Sequence, residues 1–223
     1  MSARLLLLAM LAPALMAQTY TNETRATLSN VQAYGYSCPG VYGQASNWDQ
    51  HVTTSSESLY IGQNTYQYSW GSMCFVETRQ PVLRFDTNGL GTILSASLTI
   101  YVNANGINQS TSGRTFYLKQ KTTYPPVFAD IYPYIDFSSG VTMGTSSMTS
   151  GWSGTGARTI PLSNPDADIN KSSFTYILLG HNIPAACGGC NSRILIDSYQ
   201  MTNKPYLSLT LAGGARVIVV AEQ

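Results

Sequence analysis

Residues 79–103 read RQPVLRFDTNGLGTILSASLTIYVN, and two patterns of alternation within them decide the fold class. In the second, Leu94, Ala96, Leu98, Ile100 and Val102 fall on one face, and Ser95, Ser97, Thr99, Tyr101 and Asn103 on the other. Apolar and polar residues taking turns at a period of two mark a strand with one side in a core and the other toward water. The first pattern is shorter, with Leu83 and Phe85 opposed to Arg84 and Asp86. Between them, Asn88-Gly89 and Gly91 tolerate the positive φ of a turn. The stretch reads as the central strand pair of an antiparallel sandwich.

Working outward, strand patterns recur at Val31–Tyr36, Ser58–Gly62, Thr115–Lys121, Thr159–Leu162, Ser173–Leu179, Arg193–Tyr199 and Pro205–Leu211. In the last, Leu207, Leu209 and Leu211 alternate with Tyr206, Ser208 and Thr210. Gln63–Met73 reads as a polar, aromatic loop and Ser138–Gly156, rich in Ser, Thr and Gly, as a long surface connection. No long stretch carries a helical period. Many short strands separated by turn-forming clusters predict an all-β antiparallel sandwich, and the long return connections predict jelly-roll topology.

Composition narrows the function classes. Charged residues make up 10% of the 223-residue chain, tyrosine occurs 15 times and the net charge is +1. Such a surface is solvated by hydroxyls and amides. With no basic run to neutralise phosphates, nucleic-acid binding has no support. Residues 1–17 read as a signal peptide: Arg4 supplies the positive start, Leu5–Leu11 the apolar run and Ala12-Pro13-Ala14 a cleavage site. That run is too short to span a bilayer. The expectation is a secreted or cell-surface protein with no membrane span. Its sandwich domain would cover 18–212, and 213–223 would be a tail or extra strand.

Export makes the cysteines interpretable as disulfides. Cys187 and Cys190 are separated by two glycines that let the chain fold back, which would leave Cys38 to pair with Cys74. Four cysteines allow three pairings. A redox C-x-x-C would need a helix start to lower a thiol pKa, and a four-thiol zinc site would need a second C-x-x-C. The sequence supplies neither.

The run SLYIG, then R-x-x-x-LRFD, then ILSASLTIYV, with the later DIN-KSSFTYILLG and KPYLSLTL, resembles secreted jelly-roll modules of the DNRLRE type. The resemblance covers Val31–Leu211, although the family's name-giving string does not occur here. Such modules sit in microbial surface proteins and beside polysaccharide-degrading enzymes, and some are classed as carbohydrate-binding modules. What the resemblance implies is a jelly-roll fold and a carbohydrate-linked role.

Catalysis has little support in the residues. His51 and His181 are the only histidines, and no G-x-S-x-G, H-E-x-x-H or P-loop occurs. Glycosidase chemistry needs two facing carboxylates, and nothing singles out a pair among Glu57, Glu77, Asp86, Asp130, Asp136 and Asp197. Arg84 and Asp86 read as a structural ion pair or turn hydrogen bond. No cofactor is expected. Asp166-Ala-Asp168-Ile-Asn170 spaces its oxygens like a D-x-D-x-N calcium loop, so a structural calcium is one reading of the run and a polar turn is the other. Sugar binding needs exposed aromatic faces. Tyr66, Tyr68 and Trp70, at a spacing of two, share a face if extended, and Trp48 and Trp152 lie in other loops. These five rings are the candidate binding residues for a polysaccharide or cell-surface glycan, with closure of the core ends as their other role. A second expectation is a structural or adhesive subunit that self-assembles by donating the β-branched strand within 213–223 to a neighbour.

Overall fold

A computed structural model describes residues 25–34, 49–53, 58–67, 73–103, 113–122, 140–148, 152, 154–182, 192–198 and 201–221. Along the chain its strands are β1 (Arg25–Tyr34), β2 (Asp49–Thr53), β3 (Leu59–Gln67), β4 (Met73–Arg79), β5 (Val82–Asp86), β6 (Ile93–Val102), β7 (Arg114–Lys121), β8 (Thr142–Met148), β9 (Gly156–Pro161), β10 (Phe174–His181), β11 (Ser192–Ile196), β12 (Tyr206–Leu211) and β13 (Arg216–Val220). One turn of helix, α1 (Pro165–Asp168), precedes β10. Among the described residues no helix is long and apolar enough to cross a membrane.

The strands form two antiparallel sheets. One follows the order β5-β10-β7-β8, and the larger one β13-β12-β6-β11-β3-β4-β1-β2. Ser97–Thr99 of β6 pair with β12 and β9 at once, so those two strands occupy opposite edges of β6. β11 joins the far end of β6 at Val102 through Asn103 N–H to Leu195 O (3.1 Å) and Asp197 N–H to Tyr101 O (2.9 Å). The inner faces interdigitate in one core. Leu98, Ile100, Val102, Ile160, Ile194, Ile196, Leu207 and Leu209 of one layer meet Leu83, Phe85, Phe116, Leu118, Met143, Ile177 and Leu179 of the other. Each such buried side chain is worth roughly 1.5–3 kcal/mol relative to exposure. The result is the all-β sandwich that the alternation predicts.

The two strands of the opening stretch are not neighbours. β5 pairs with β10 in the small sheet, and β6 lies in the large one. Residues 87–92 carry the chain between layers instead of closing a hairpin. Thr87 anchors that crossing: its hydroxyl lies 2.6 Å from Asn170 O, 3.1 Å from Ser173 O and 2.7 Å from Thr175 Oγ1. Gly89 N–H adds a bond to Lys171 O at 2.9 Å. These partners belong to β10 and the loop that leads into it, so the crossing is fixed to the strand that β5 does pair with.

Leu94 is a second correction. The register between β6 and β12 slips between Thr210 and Leu211. At this bulge both Leu94 and Ser95 face outward, and Ile93 takes the core position. Leu94 is 62% exposed. The alternation predicted for this strand holds only from Ala96 onward.

Two segments predicted as loops contain strands. Gln63–Gln67 continue β3 along β4, and Thr142–Met148 form β8 at the edge of the small sheet. Met143 and Met148 of β8 are fully buried. Gly144 lets β8 approach Pro161 so closely that a Cβ there would collide with the Pro161 carbonyl oxygen. The closing residues are resolved as β13, which pairs in cis with β12 from Tyr206↔Val220 to Thr210↔Arg216. Gly213 and Gly214, with φ of 95° and 82°, make the turn between them, and Val219 and Ala221 enter the core. The predicted signal peptide at 1–17 lies outside the described residues.

Candidate functional site

Alternation along the large sheet puts Thr99 and Tyr101 of β6 on its outer face, because Leu98, Ile100 and Val102 fill the core. The same holds for Tyr206 on β12 and Val220 on β13, next to the buried Leu207 and Val219. Tyr206 lies directly opposite Thr99 on one side and Val220 on the other. Tyr101 is thus on the diagonal from Tyr206, a separation of about 7–8 Å that aromatic side chains bridge. Together with Ala157 of β9 and residues 202–204, these side chains line an open groove of about 500 Å³.

The wall of the groove is the connection between β11 and β12, and it is held by polar contacts. Asn203 Nδ2 donates to Asp197 Oδ2 at 3.0 Å. Asp197 is itself buried and bonded through its N–H to Tyr101 O. Met201 N–H closes a turn on Ser198 O at 3.1 Å. Its sulfur accepts from Ser58 Oγ (3.7 Å), which in turn accepts from Asn103 Nδ2 (2.6 Å). Thr99 and Thr159 hydroxyls, 3.0 Å apart, bridge β6 and β9 beside the floor. Tyr101 and Tyr206 are half-buried. Among the described residues, neither phenol hydroxyl nor the Lys204 amine has a hydrogen-bonding partner. The groove therefore offers two partly exposed rings with an amide, hydroxyls and an amine around them.

A second cavity, of about 400 Å³, opens between α1 and the strands β7 and β10. It holds the D-x-D-x-N run, whose side-chain oxygens accept hydrogen bonds from the protein itself. Asp166 Oδ1 accepts from Lys171 Nζ (2.7 Å) and Ile93 N–H (2.8 Å). Asp168 Oδ2 turns back to Asn164 N–H at 3.0 Å, and Asn170 Oδ1 accepts from Ser172 N–H at 3.1 Å. Among the described residues no group of three or more His, Cys, Asp or Glu side chains could hold a metal ion. The Lys171 ammonium, followed by the Ile93 N–H, holds the Asp166 carboxyl below its ordinary value of 3.8. Burial pushes the Asp168 carboxyl above it, against the Asn164 N–H.

Of the aromatic residues singled out in the sequence, Trp152 is the one whose side chain is described. Trp152 is 5% exposed. Its ring packs on Phe116 with centroids 4.9 Å apart, and the Arg158 guanidinium lies 5.9 Å from its centroid. It closes the core and presents no face to a ligand. Tyr66 lies on β3 opposite Phe75. Trp48, Tyr68 and Trp70 lie outside the described residues, as do Cys38, Cys187 and Cys190. Cys74 lies on β4, opposite Ala33 of β1 and Gln67 of β3. His181 is buried with Nδ1 3.2 Å from Asn182 O. Asp86 Oδ1 accepts from Asn88 N–H at 3.0 Å, a turn hydrogen bond as expected, and the Arg84 guanidinium stacks 4.4 Å from the Phe174 centroid.

Tyr101 and Tyr206 appear in the sequence only as the polar partners of strand alternation. The signal that marks them is their type: each is an aromatic residue among the Ser and Thr that alternate with the core residues of its strand. No family model matches the chain, and none of the curated proteins compared with it is similar in sequence.

Proposed function

We propose that this chain is a secreted, non-catalytic module that holds a polysaccharide or cell-surface glycan in the groove flanked by Tyr101 and Tyr206. The observation that carries the reading is the diagonal placement of these two tyrosines on a sheet face, with Thr202, Asn203 and Lys204 as a polar wall. A pyranose presents axial C–H groups that pack on an aromatic face, while its hydroxyls take directed hydrogen bonds from amides and hydroxyls. An open groove on a strand surface accepts an internal segment of a polymer. Among the described residues that line it there is no carboxylate, histidine or thiol, and hydrolysis of a glycosidic bond requires carboxylates on both sides of it. The repeated crossing of the chain between layers suits a jelly roll, and the N-terminal leader pattern suits export.

Affinity electrophoresis in polysaccharide gels, with a glycan array, tests the reading. The wild-type chain is expected to bind, and Tyr101→Ala and Tyr206→Ala each to weaken binding about tenfold, roughly 1.4 kcal/mol. A folded protein that binds no glycan in either format would overturn it.

A second reading, assembly with further copies of the chain, is favoured by the edge of the large sheet. β13 ends that sheet, and Ile218 on it is 51% exposed. Because β13 already pairs in cis, assembly would extend the sheet at its edge and leave the hairpin with β12 in place.

A further inference from the structure

Lys204 is the only charged side chain among the described residues that line the Tyr101–Tyr206 groove. It is half-buried, and its amine makes no hydrogen bond or ion pair with a described residue. Other lysines of this chain are engaged: Lys171 with Asp166 at 2.7 Å, and Lys119 with Thr142 Oγ1 at 2.7 Å. The carboxylate nearest in sequence is Asp197, and its Oδ2 is occupied by Asn203 Nδ2. A lone ammonium in a concave, partly desolvated site attracts an anion more strongly than the same group on a flat, wet surface. The flanking Thr202 and Asn203 add neutral donors.

We infer that the groove takes an anionic saccharide, with Lys204 facing a carboxylate or sulfate group while Tyr101 and Tyr206 carry the ring. The inference rests on the groove being a carbohydrate site and names the class of sugar it prefers. Net charge does not explain such a preference, since 12 basic residues are balanced by 11 acidic ones. The contact at Lys204 is local and is weakened by salt within the Debye length.

Affinity electrophoresis of the whole chain in gels containing polygalacturonate, dextran sulfate or neutral hydroxyethylcellulose tests this. Wild type is expected to be retarded by at least one of the two anionic polymers and less by the neutral one. Lys204→Gln should weaken that retention about tenfold, Lys204→Arg should retain most of it, and Tyr101→Ala should weaken it by a similar factor. Raising salt from about 50 to about 500 mM should reduce retention, as expected for a partly exposed charge. Retention by polygalacturonate alone assigns a carboxylate, and retention by dextran sulfate alone assigns a sulfate. Equal retention of wild type and Lys204→Gln on anionic polymer overturns the inference. So does retention by the neutral polymer alone, which leaves the carbohydrate groove standing. Absence of retention in all three gels, with the protein folded, removes both.

Discussion

Asp166 and Asp168 stand two residues apart in one four-residue turn, and that turn drives their carboxyls in opposite directions. Asp166 is about half exposed and bonded to the Lys171 ammonium. Asp168 is 4% exposed and accepts from the Asn164 N–H. The signs of their contributions to stability follow. The folded Asp166 has its pKa below the ordinary 3.8, so its contribution is complete above 3.8 and is lost as pH falls through the lower folded value. The folded Asp168 has its pKa raised by burial, so it binds a proton more readily than the unfolded chain. It therefore costs stability as pH rises from 3.8 through the folded value, and the cost is constant beyond that. Urea unfolding across pH should show Asp166→Asn less stable than wild type at neutral pH, with the deficit vanishing in strong acid. Asp168→Asn should gain on wild type as pH rises. Identical pH curves for Asp168→Asn and wild type would show that burial does not govern that carboxyl.

Trp152 offers a direct separation of core from binding surface. Its ring lies against Phe116 inside the sandwich, so truncation should cost about 3–5 kcal/mol of folding free energy. Trp152→Phe, which keeps much of the apolar volume, should cost far less. Neither change touches the groove, so glycan retention per folded molecule should stay at the wild-type level in Trp152→Phe. A selective loss of binding at unchanged stability would place the ring at the ligand.

Layering was legible because alternation reports which face a strand buries. Leu83 and Phe85, or Leu207 and Leu209, fall where their spacing puts them. Pairing was less legible. The glycine-rich turn after Asp86 suits a hairpin locally, but Thr87 and Gly89 find their partners in β10 and the loop before it, more than eighty residues away. β8 was hidden for a different reason. An edge strand with one face in water needs few apolar residues, and its buried methionines are five positions apart, out of step with any short period. Leu94 shows the limit of periodicity itself, since one slipped residue at a bulge inverts the face of its neighbour. The groove escaped notice because tyrosine on a polar face is compatible with simple solvent exposure. Only the register that sets Tyr206 opposite Thr99 brings Tyr101 beside it.

Gly144 is fixed by space, since β8 approaches the Pro161 carbonyl oxygen within the reach of any Cβ. Ser163 N–H bonds to Met143 O at 2.6 Å beside it, so the two backbones are tied together where they meet. Gly144→Ala should therefore cost about 1–3 kcal/mol, the range for overpacking a filled site. Chemical denaturation measures it. Gly91→Ala is the control, because nothing lies within 4 Å of the added carbon. Equal stability of the two variants would show that β8 can move away at no cost.

Among the described residues β13 is the last strand of the large sheet, which makes the assembly reading testable at the level of single backbone groups. Leu211 N–H bonds to Ala215 O and Ala221 N–H to Pro205 O, each at 2.8 Å. The odd-numbered positions of β13 therefore face β12, and the N–H and C=O groups of Arg216, Ile218 and Val220 point away from it. A second copy added antiparallel about Ile218 would set Ile218 against Ile218 and Arg216 of each copy against Val220 of the other. No like charges then meet across the seam. An edge contact of this kind buries little area, so a weak dimer is expected, visible by sedimentation at about 100 μM and dissociating on dilution. Ile218→Pro removes one outward N–H and leaves the β12 ladder intact, as proline does on the open side of an edge strand. Ile218→Lys puts a charge where natural edges carry one. Both variants should be monomers at the concentration where wild type is dimeric, with near-native thermal stability. A monomeric wild type, or a dimer that survives both substitutions, would remove β13 as the assembly surface and leave the groove as the only binding site proposed.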